Sequence, residues 1–192
     1  MRIGIHVFDG VEELDWVGPW EVFGMWSLLD PQVELVSVAR EPGVVRCAKG
    51  VEVVPATDWR ELGTVDLLVY PGGRGTRDHL GDEAVRGWVR DLHAGGTTMA
   101  SVCTGSLVYA DAGLLDGRPA TTHWRSLDLL AELGRDVEVR PDDRFVDDGD
   151  VVTAAGVSAG IDVALHLVAR FAGGDRAREV RRNMQYDPRP PV

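Results

Sequence analysis

Thr97-Thr98-Met99-Ala100-Ser101-Val102-Cys103-Thr104-Gly105, followed by Ser106-Leu107-Val108-Tyr109-Ala110-Asp111-Ala112-Gly113-Leu114-Leu115, decides the fold. Residues 97–102 read as a buried strand, and residues 107–115 as a short helix and its exit. Cys103 therefore stands at a strand-to-helix turn, where backbone N–H groups converge. The helix N-terminus there is expected to favour thiolate over thiol and to supply donors for an anion forming beside the sulfur. The arrangement has the geometry of a nucleophile elbow with sulfur in place of oxygen. A free cysteine often packs as a small hydrophobe. The polar Thr104 and the Gly105 that follow, at a helix start, favour a reactive Cys103 instead.

Working outward, strand and helix signals alternate. Residues 2–8 are strand-like. Residues 18–29 have helical spacing, with Trp20, Val22, Phe23, Trp26 and Leu29 apolar, and residues 33–39 form a second strand. Two β-like runs in residues 44–55 flank Lys49-Gly50, which predicts a hairpin. Residues 65–70 are an apolar strand ending at Pro71-Gly72-Gly73. Residues 82–94 are a helix with Asp82 as N-cap, a face of Val85, Trp88, Val89 and Leu92, and a stop at Gly95. Residues 126–133 are helical to Gly134, and residues 137–140, 144–147 and 151–155 are short strands. A helix over 158–172, with Ile161, Ala164, Leu165 and Val168 on one face, closes the core. Alternating β and α units with apolar central strands imply an α/β fold with a mostly parallel sheet covered on both faces. The economical organisation is one domain over residues 1–187, with an extended proline-rich tail at 188–192. Sites in such sheets lie beyond the carboxyl ends of the strands. The loops at residues 9–19, 71–77 and 103–105 are the candidates.

The 192 residues suffice for one full core, and 44% hydrophobic content is ordinary for a globular chain. No apolar stretch reaches the ~18 residues of a membrane span, and no signal peptide is visible at the N-terminus, so the expected location is the cytoplasm. A formal charge of −11 argues against nucleic acid and anionic membranes as partners. The two cysteines, Cys47 and Cys103, make neither a disulfide framework nor a zinc spacing, so no metal is expected.

Asp15, in Glu12-Glu13-Leu14-Asp15-Trp16-Val17-Gly18-Pro19, is either an ordinary turn residue or a carboxyl at the same sheet edge as Cys103. Its apolar flanks make partial burial and a raised pKa plausible, which would suit a proton donor. Glu12 and Glu13 read as solvated. Pro71-Gly72-Gly73-Arg74-Gly75 is neither a Walker loop nor a dinucleotide fingerprint. Its glycines permit close backbone approach, so the Gly73 N–H is a candidate oxyanion donor with that of Thr104. Arg74 and Arg77 read as substrate clamps or as surface charges. His123 is the best histidine for a Cys–His pair, although a lone histidine is more often structural. His6, His79, His93 and His166 read as structural. The six tryptophans read mostly as core, with Trp16 able to line a pocket beside Asp15.

Four segments together resemble the ThiJ/PfpI superfamily, and within it the isonitrile hydratases most closely: FDGVEELDWVGPWEVF, YPGG, SVCTGSLVYADAGLLDGRPATTHW and VVTAAGVSAGIDVALHLV. They span nearly the whole chain, and the combination of L-D-x-x-G-P, S-V-C-T-G and T-T-H-W is specific. The resemblance implies a flavodoxin-like sandwich, a homodimer, no cofactor and a small-molecule substrate. It places the nucleophile on Cys103, the acidic partner on Asp15 and the adjacent polar residue on Thr104. Substrate-binding or oxyanion roles fall on Gly72, Gly73, His123 and Trp16. The implied reaction adds water to an isonitrile to give an N-substituted formamide. A glyoxalase-like activity on small aldehydes and a ligand or redox sensor using Cys103 are the alternatives. Thr104 in place of His departs from PfpI-like proteases, and Asp15 in place of Glu departs from glyoxalase- and deglycase-like relatives. With no helix-turn-helix motif following, the resemblance points away from the regulators that carry this domain.

Overall fold

The computed structural model describes residues 1–188; of the expected tail at 188–192, all but Pro188 lies outside the described residues. The elements, in chain order, are β1 (Arg2–His6), α1 (Glu13–Leu29), β2 (Glu34–Ala39), β3 (Val45–Arg46), β4 (Glu52–Val53), β5 (Thr57–Asp58), β6 (Leu67–Tyr70), α2 (Thr76–His79), α3 (Glu83–Ala94), β7 (Thr98–Val102), α4 (Gly105–Asp111) and β8 (Pro119–Ala120). A 3-10 turn (Trp124–Ser126), α5 (Leu127–Leu133), β9 (Glu138–Val139), β10 (Phe145–Asp147), β11 (Val151–Ala154), α6 (Ala159–Ala172) and α7 (Gly174–Asn183) follow.

Seven strands form one sheet in the order β10-β11-β7-β6-β1-β2-β5. Its pairings are parallel except β10 with β11. The period-2 side-chain alternation of a strand explains why the central strands are apolar throughout. Ile3, Ile5, Leu67, Val69, Ala100, Val102, Val152 and Ala154 pack on one face, with Val22, Phe23 and Trp26 of α1, Val163 and Leu167 of α6 and Val180 of α7. Leu68, Tyr70, Met99 and Val151 pack on the other, with Val85 and Val89 of α3, Leu107 and Val108 of α4 and Leu130 of α5. The β3–β4 hairpin forms as expected, antiparallel about Lys49-Gly50. Asp82 caps α3, its carboxylate accepting from the Ala84 and Val85 amides.

Three expectations are corrected. Helix α1 begins at Glu13 rather than at residue 18, and Pro19 lies inside it. A proline interrupts one i→i−4 bond, but packing of the helix on the sheet and on α6 carries it through, Pro19 lying so close to Gly160 that a Cβ there would stand 3.2 Å from its ring. The buried face of α6 centres on Val163, Ala164, Leu167 and Val168, while Ile161 and Leu165 are half-buried. Trp124 is 66% exposed rather than core. Helix α7 has no counterpart in the sequence reading because its only buried side chain is Val180, too little apolar patterning to show a face.

Strands β7, β6 and β1 are adjacent in the sheet. Their carboxyl ends therefore bring the Cys103 turn, the Pro71-Gly72-Gly73 loop and the start of α1 to one edge. Among the described residues no helix is long and apolar enough to cross a membrane.

Candidate active site

Cys103 sits between β7 and α4 with φ +56, in the left-handed region that an L-residue enters at a cost. The surrounding bonds hold it there. Its amide donates to the Ala154 and Ala155 carbonyls at 3.1 and 3.0 Å. Its carbonyl accepts from the Ser106 and Thr122 hydroxyls at 3.1 and 2.9 Å. The chain then turns so closely past β6 that a side chain at Gly105 would run into the Tyr70 carbonyl.

Asp15 lies in the first turn of α1, completely buried. Its Oδ2 accepts from the Gly72 amide at 2.9 Å, while Oδ1 is buried without a conventional hydrogen bond. The Cys103 thiol lies against this carboxylate. Burial pushes the Asp15 carboxyl up to about 7, against the stabilising bonds from the Gly72 amide and from Cys103.

Gly72 is the point where these parts meet. A Cβ there would stand 2.5 Å from the Thr104 amide nitrogen, 2.7 Å from Thr104 Oγ1 and 2.8 Å from Asp15 Oδ2. The Gly72 carbonyl accepts from the Glu12 amide at 2.9 Å, which ties the loop to the start of α1. Glu12 and Glu13, expected to be solvated, are largely covered and both pair with Lys49 of the hairpin. That contact clamps the β3–β4 turn onto the beginning of α1.

The expectation of a thiolate at the helix start is corrected. Burial, and then the Asp15 charge, push the Cys103 thiol up to about 12, overriding hydrogen bonds to the sulfur from the Thr104 and Val157 amides. The amide expected beside that of Thr104 was Gly73. Its N–H is instead turned to the Thr104 hydroxyl at 3.0 Å. Val157 supplies the second amide on the sulfur, from a turn in which it adopts φ +49. Nothing in Ala155-Gly156-Val157-Ser158 signals this in the sequence, since Val is a poor residue for positive φ.

His123 packs its ring against Gly156, where a Cβ would stand 2.5 Å from Cδ2. Its Nδ1 accepts from the Arg125 amide at 3.2 Å, and burial followed by the Arg125 charge lowers its pKa. The hydrogen bonds of His123 thus run to its own turn, and it is Thr122, beside it, that touches Cys103. Trp124, Pro141, Arg144 and Val157 line a cleft of about 300 Å3 with His123. Trp16 is half-buried next to Asp15 on α1, edge-on to Trp20 at 6.3 Å, with its indole N–H facing the Cys47 thiol. Arg74 and Arg77 are both exposed, and Arg77 donates to Thr76 and Ser126. His93 and His166 pair with Asp150 and Asp147, and His79 with Tyr70. Among the described residues no group of three or more His, Cys, Asp or Glu side chains could hold a metal ion.

A parallel-sheet sandwich with a cysteine at the sharp turn after a central strand, and a buried acid from the first helix beside it, defines a cysteine-centred flavodoxin-like α/β protein. The DJ-1/PfpI family model matches residues 1–170, and the chain belongs to that family. It is similar to an isonitrile hydratase of Pseudomonas putida, 40% identical over 191 residues that cover 100% of this chain and 81% of that protein. A 93-residue stretch is 42% identical to a helix-turn-helix transcriptional regulator of Pseudomonas aeruginosa, covering 48% of this chain and 27% of the regulator. A solved ThiJ/PfpI family protein from Pseudomonas syringae superposes with a TM-score of 0.90 at 33% identity, covering 100% of this chain and 77% of that one.

Proposed function

We propose that the protein hydrates isonitriles to N-substituted formamides, with Cys103 as nucleophile and Asp15 as the group that carries the proton. One observation supports this reading above the others: a buried carboxyl, with a pKa raised to about 7, lies against the thiol. Such a group can take the thiol proton and give it up again near neutral pH. The likeness to an isonitrile hydratase over the whole chain points the same way.

The reaction balances without a co-reactant other than water. Asp15 removes the Cys103 proton and delivers it to the isonitrile carbon. The sulfur forms its bond to that carbon, which gives an enzyme-bound thioimidate, S–CH=N–R. Water then adds to the same carbon. One water proton passes through Asp15 to the nitrogen, with Thr104 holding the water. As the carbon–sulfur bond breaks, the remaining hydroxyl proton passes to the sulfur, which releases the formamide and restores the thiol. The Thr104 and Val157 amides stabilise sulfur as it gains negative charge in attack and in departure. A thiol kept protonated at rest suits this cycle better than peroxide sensing, which requires a standing thiolate.

The reading is tested by following formamide production from cyclohexyl isonitrile. The wild type is expected to turn over and Cys103→Ala to be inactive. A wild type that makes no formamide, in a preparation whose Cys103 still alkylates, would move the assignment to aldehydes or to a sensor.

A further inference from the structure

Thr76 is fully buried behind Thr104, at the start of the short helix α2. Its hydroxyl stands 2.8 Å from the Gly73 carbonyl, 3.1 Å from Thr104 Oγ1 and 3.1 Å from Nη1 of Arg77. A hydroxyl has one proton and two lone pairs, which fixes how these contacts are shared. The Gly73 carbonyl can only accept and is the nearest partner, so it takes the Thr76 proton. The Arg77 guanidinium can only donate, so it fills one lone pair. The remaining lone pair faces Thr104. Thr104 in turn accepts from the Gly73 amide at 3.0 Å, and its own proton has two inward acceptors, Thr76 Oγ1 and the Gly73 carbonyl at 3.2 Å. One Thr104 lone pair is then left without a protein donor, on a hydroxyl that shares the space around Gly72 with the Asp15 carboxylate.

We propose that Thr76, held by Arg77, is a positioning residue that turns the Thr104 hydroxyl proton inward and leaves Thr104 as a hydrogen-bond acceptor for the attacking water. The assignment rests on the hydratase reading for the identity of the reaction. Arg77 is itself braced by the Ser126 hydroxyl at 3.3 Å, so the orientation is carried from the 3-10 turn before α5 through Arg77 and Thr76 to Thr104. Water that donates to Thr104 has its oxygen lone pair free for the thioimidate carbon. Removing the Thr76 hydroxyl leaves the Thr104 proton only the longer inward contact, to the Gly73 carbonyl at 3.2 Å, so Thr104 rotates more readily to donate toward the site, which misorients that water while leaving substrate binding intact.

The test is a double-mutant cycle on cyclohexyl isonitrile hydration. Thr76→Val, nearly isosteric, is expected to lower kcat roughly tenfold, the size of one lost orienting hydrogen bond, with KM within about twofold. Thr76→Ser is expected to restore kcat. Thr76→Val in a Thr104→Val background is expected to add nothing, because Thr76 acts through Thr104. An unchanged kcat in Thr76→Val, or losses that multiply in the double variant, would overturn the assignment. If the wild type hydrates no isonitrile, the hydratase reading fails by itself. The same cycle is then read on the pH dependence of Cys103 alkylation by iodoacetamide, since the Thr104 amide bonds that sulfur. Non-additive shifts there keep Thr76 as the residue that positions Thr104, and additive or absent shifts overturn it.

Discussion

The Asp15 carboxylate lies against the Cys103 thiol and, after burial itself, is the main reason the thiol keeps its proton. The two groups act as a pair that holds one proton between about pH 7 and pH 12. Replacing the acid should therefore have opposite effects on two reactions of the same sulfur. Asp15→Asn preserves an acceptor for the Gly72 amide and removes the negative charge. Alkylation of Cys103 by iodoacetamide at pH 8 should become faster, because its pKa falls. Isonitrile turnover should drop by roughly 100-fold or more, the scale of a lost acid–base group. Slower alkylation in this variant would mean that the carboxylate does not hold the proton on Cys103.

The pH dependence of kcat/KM follows from the same pair. Below about pH 7 Asp15 is protonated and cannot accept the thiol proton. Activity should rise with unit slope through about pH 7 and level off above it. In Asp15→Asn that rise should vanish from the residual rate. A profile that falls through pH 7 would assign Asp15 as an obligate acid in the free enzyme instead.

Gly72→Ala tests the meeting point of the three loops. The added Cβ has no room between Thr104 and Asp15. The Gly72 loop must shift, which lengthens the bond from its amide to Asp15. Stability should fall by about 1–3 kcal/mol, as for overpacking at a tight site, and turnover should fall further than stability explains. Denaturant unfolding alongside kinetics checks both. Unchanged kinetics would mean that Asp15 does not depend on this loop.

His6 carries a separate prediction about acid stability. Its ring is completely buried among Phe8, Trp59, Tyr70, His79 and Trp88, and neither ring nitrogen has a hydrogen-bond partner. Burial, with a smaller contribution from His79, holds its pKa well below 6.5. The unfolded chain thus binds a proton that the folded chain refuses, so His6 costs stability as pH falls below 6.5. His6→Leu should flatten the loss of unfolding midpoint between pH 6.5 and 5 relative to wild type. An equal slope in both proteins would show that His6 is hydrated or partnered in solution.

Much of this architecture is legible in the sequence because its signals are local. The apolar run before Cys103, the Asp82 cap and the Lys49-Gly50 turn each act within a few residues, and each appears where the pattern places it. Cys103 and Asp15, 88 positions apart in the chain, meet because β7, β6 and β1 are neighbours in the sheet, which the parallel α/β pattern implies. What was hidden depends on contacts distant in sequence. The early start of α1, with Pro19 inside it, comes from packing on α6. The Val157 amide reaches the sulfur through a positive-φ turn with no glycine at that position. The direction of the Cys103 shift could not be read either. A helix start and a nearby acid pull oppositely, and only the extent of burial decides between them.

The central claim is a covalent bond between Cys103 and the isonitrile carbon, and intact-protein mass spectrometry on enzyme acid-quenched during turnover tests it most directly. The account predicts a species heavier by the mass of one whole isonitrile, located on the peptide containing Cys103 and absent from Cys103→Ala. Formamide produced by Cys103→Ala at the wild-type rate, with no such adduct on the wild type, would contradict it.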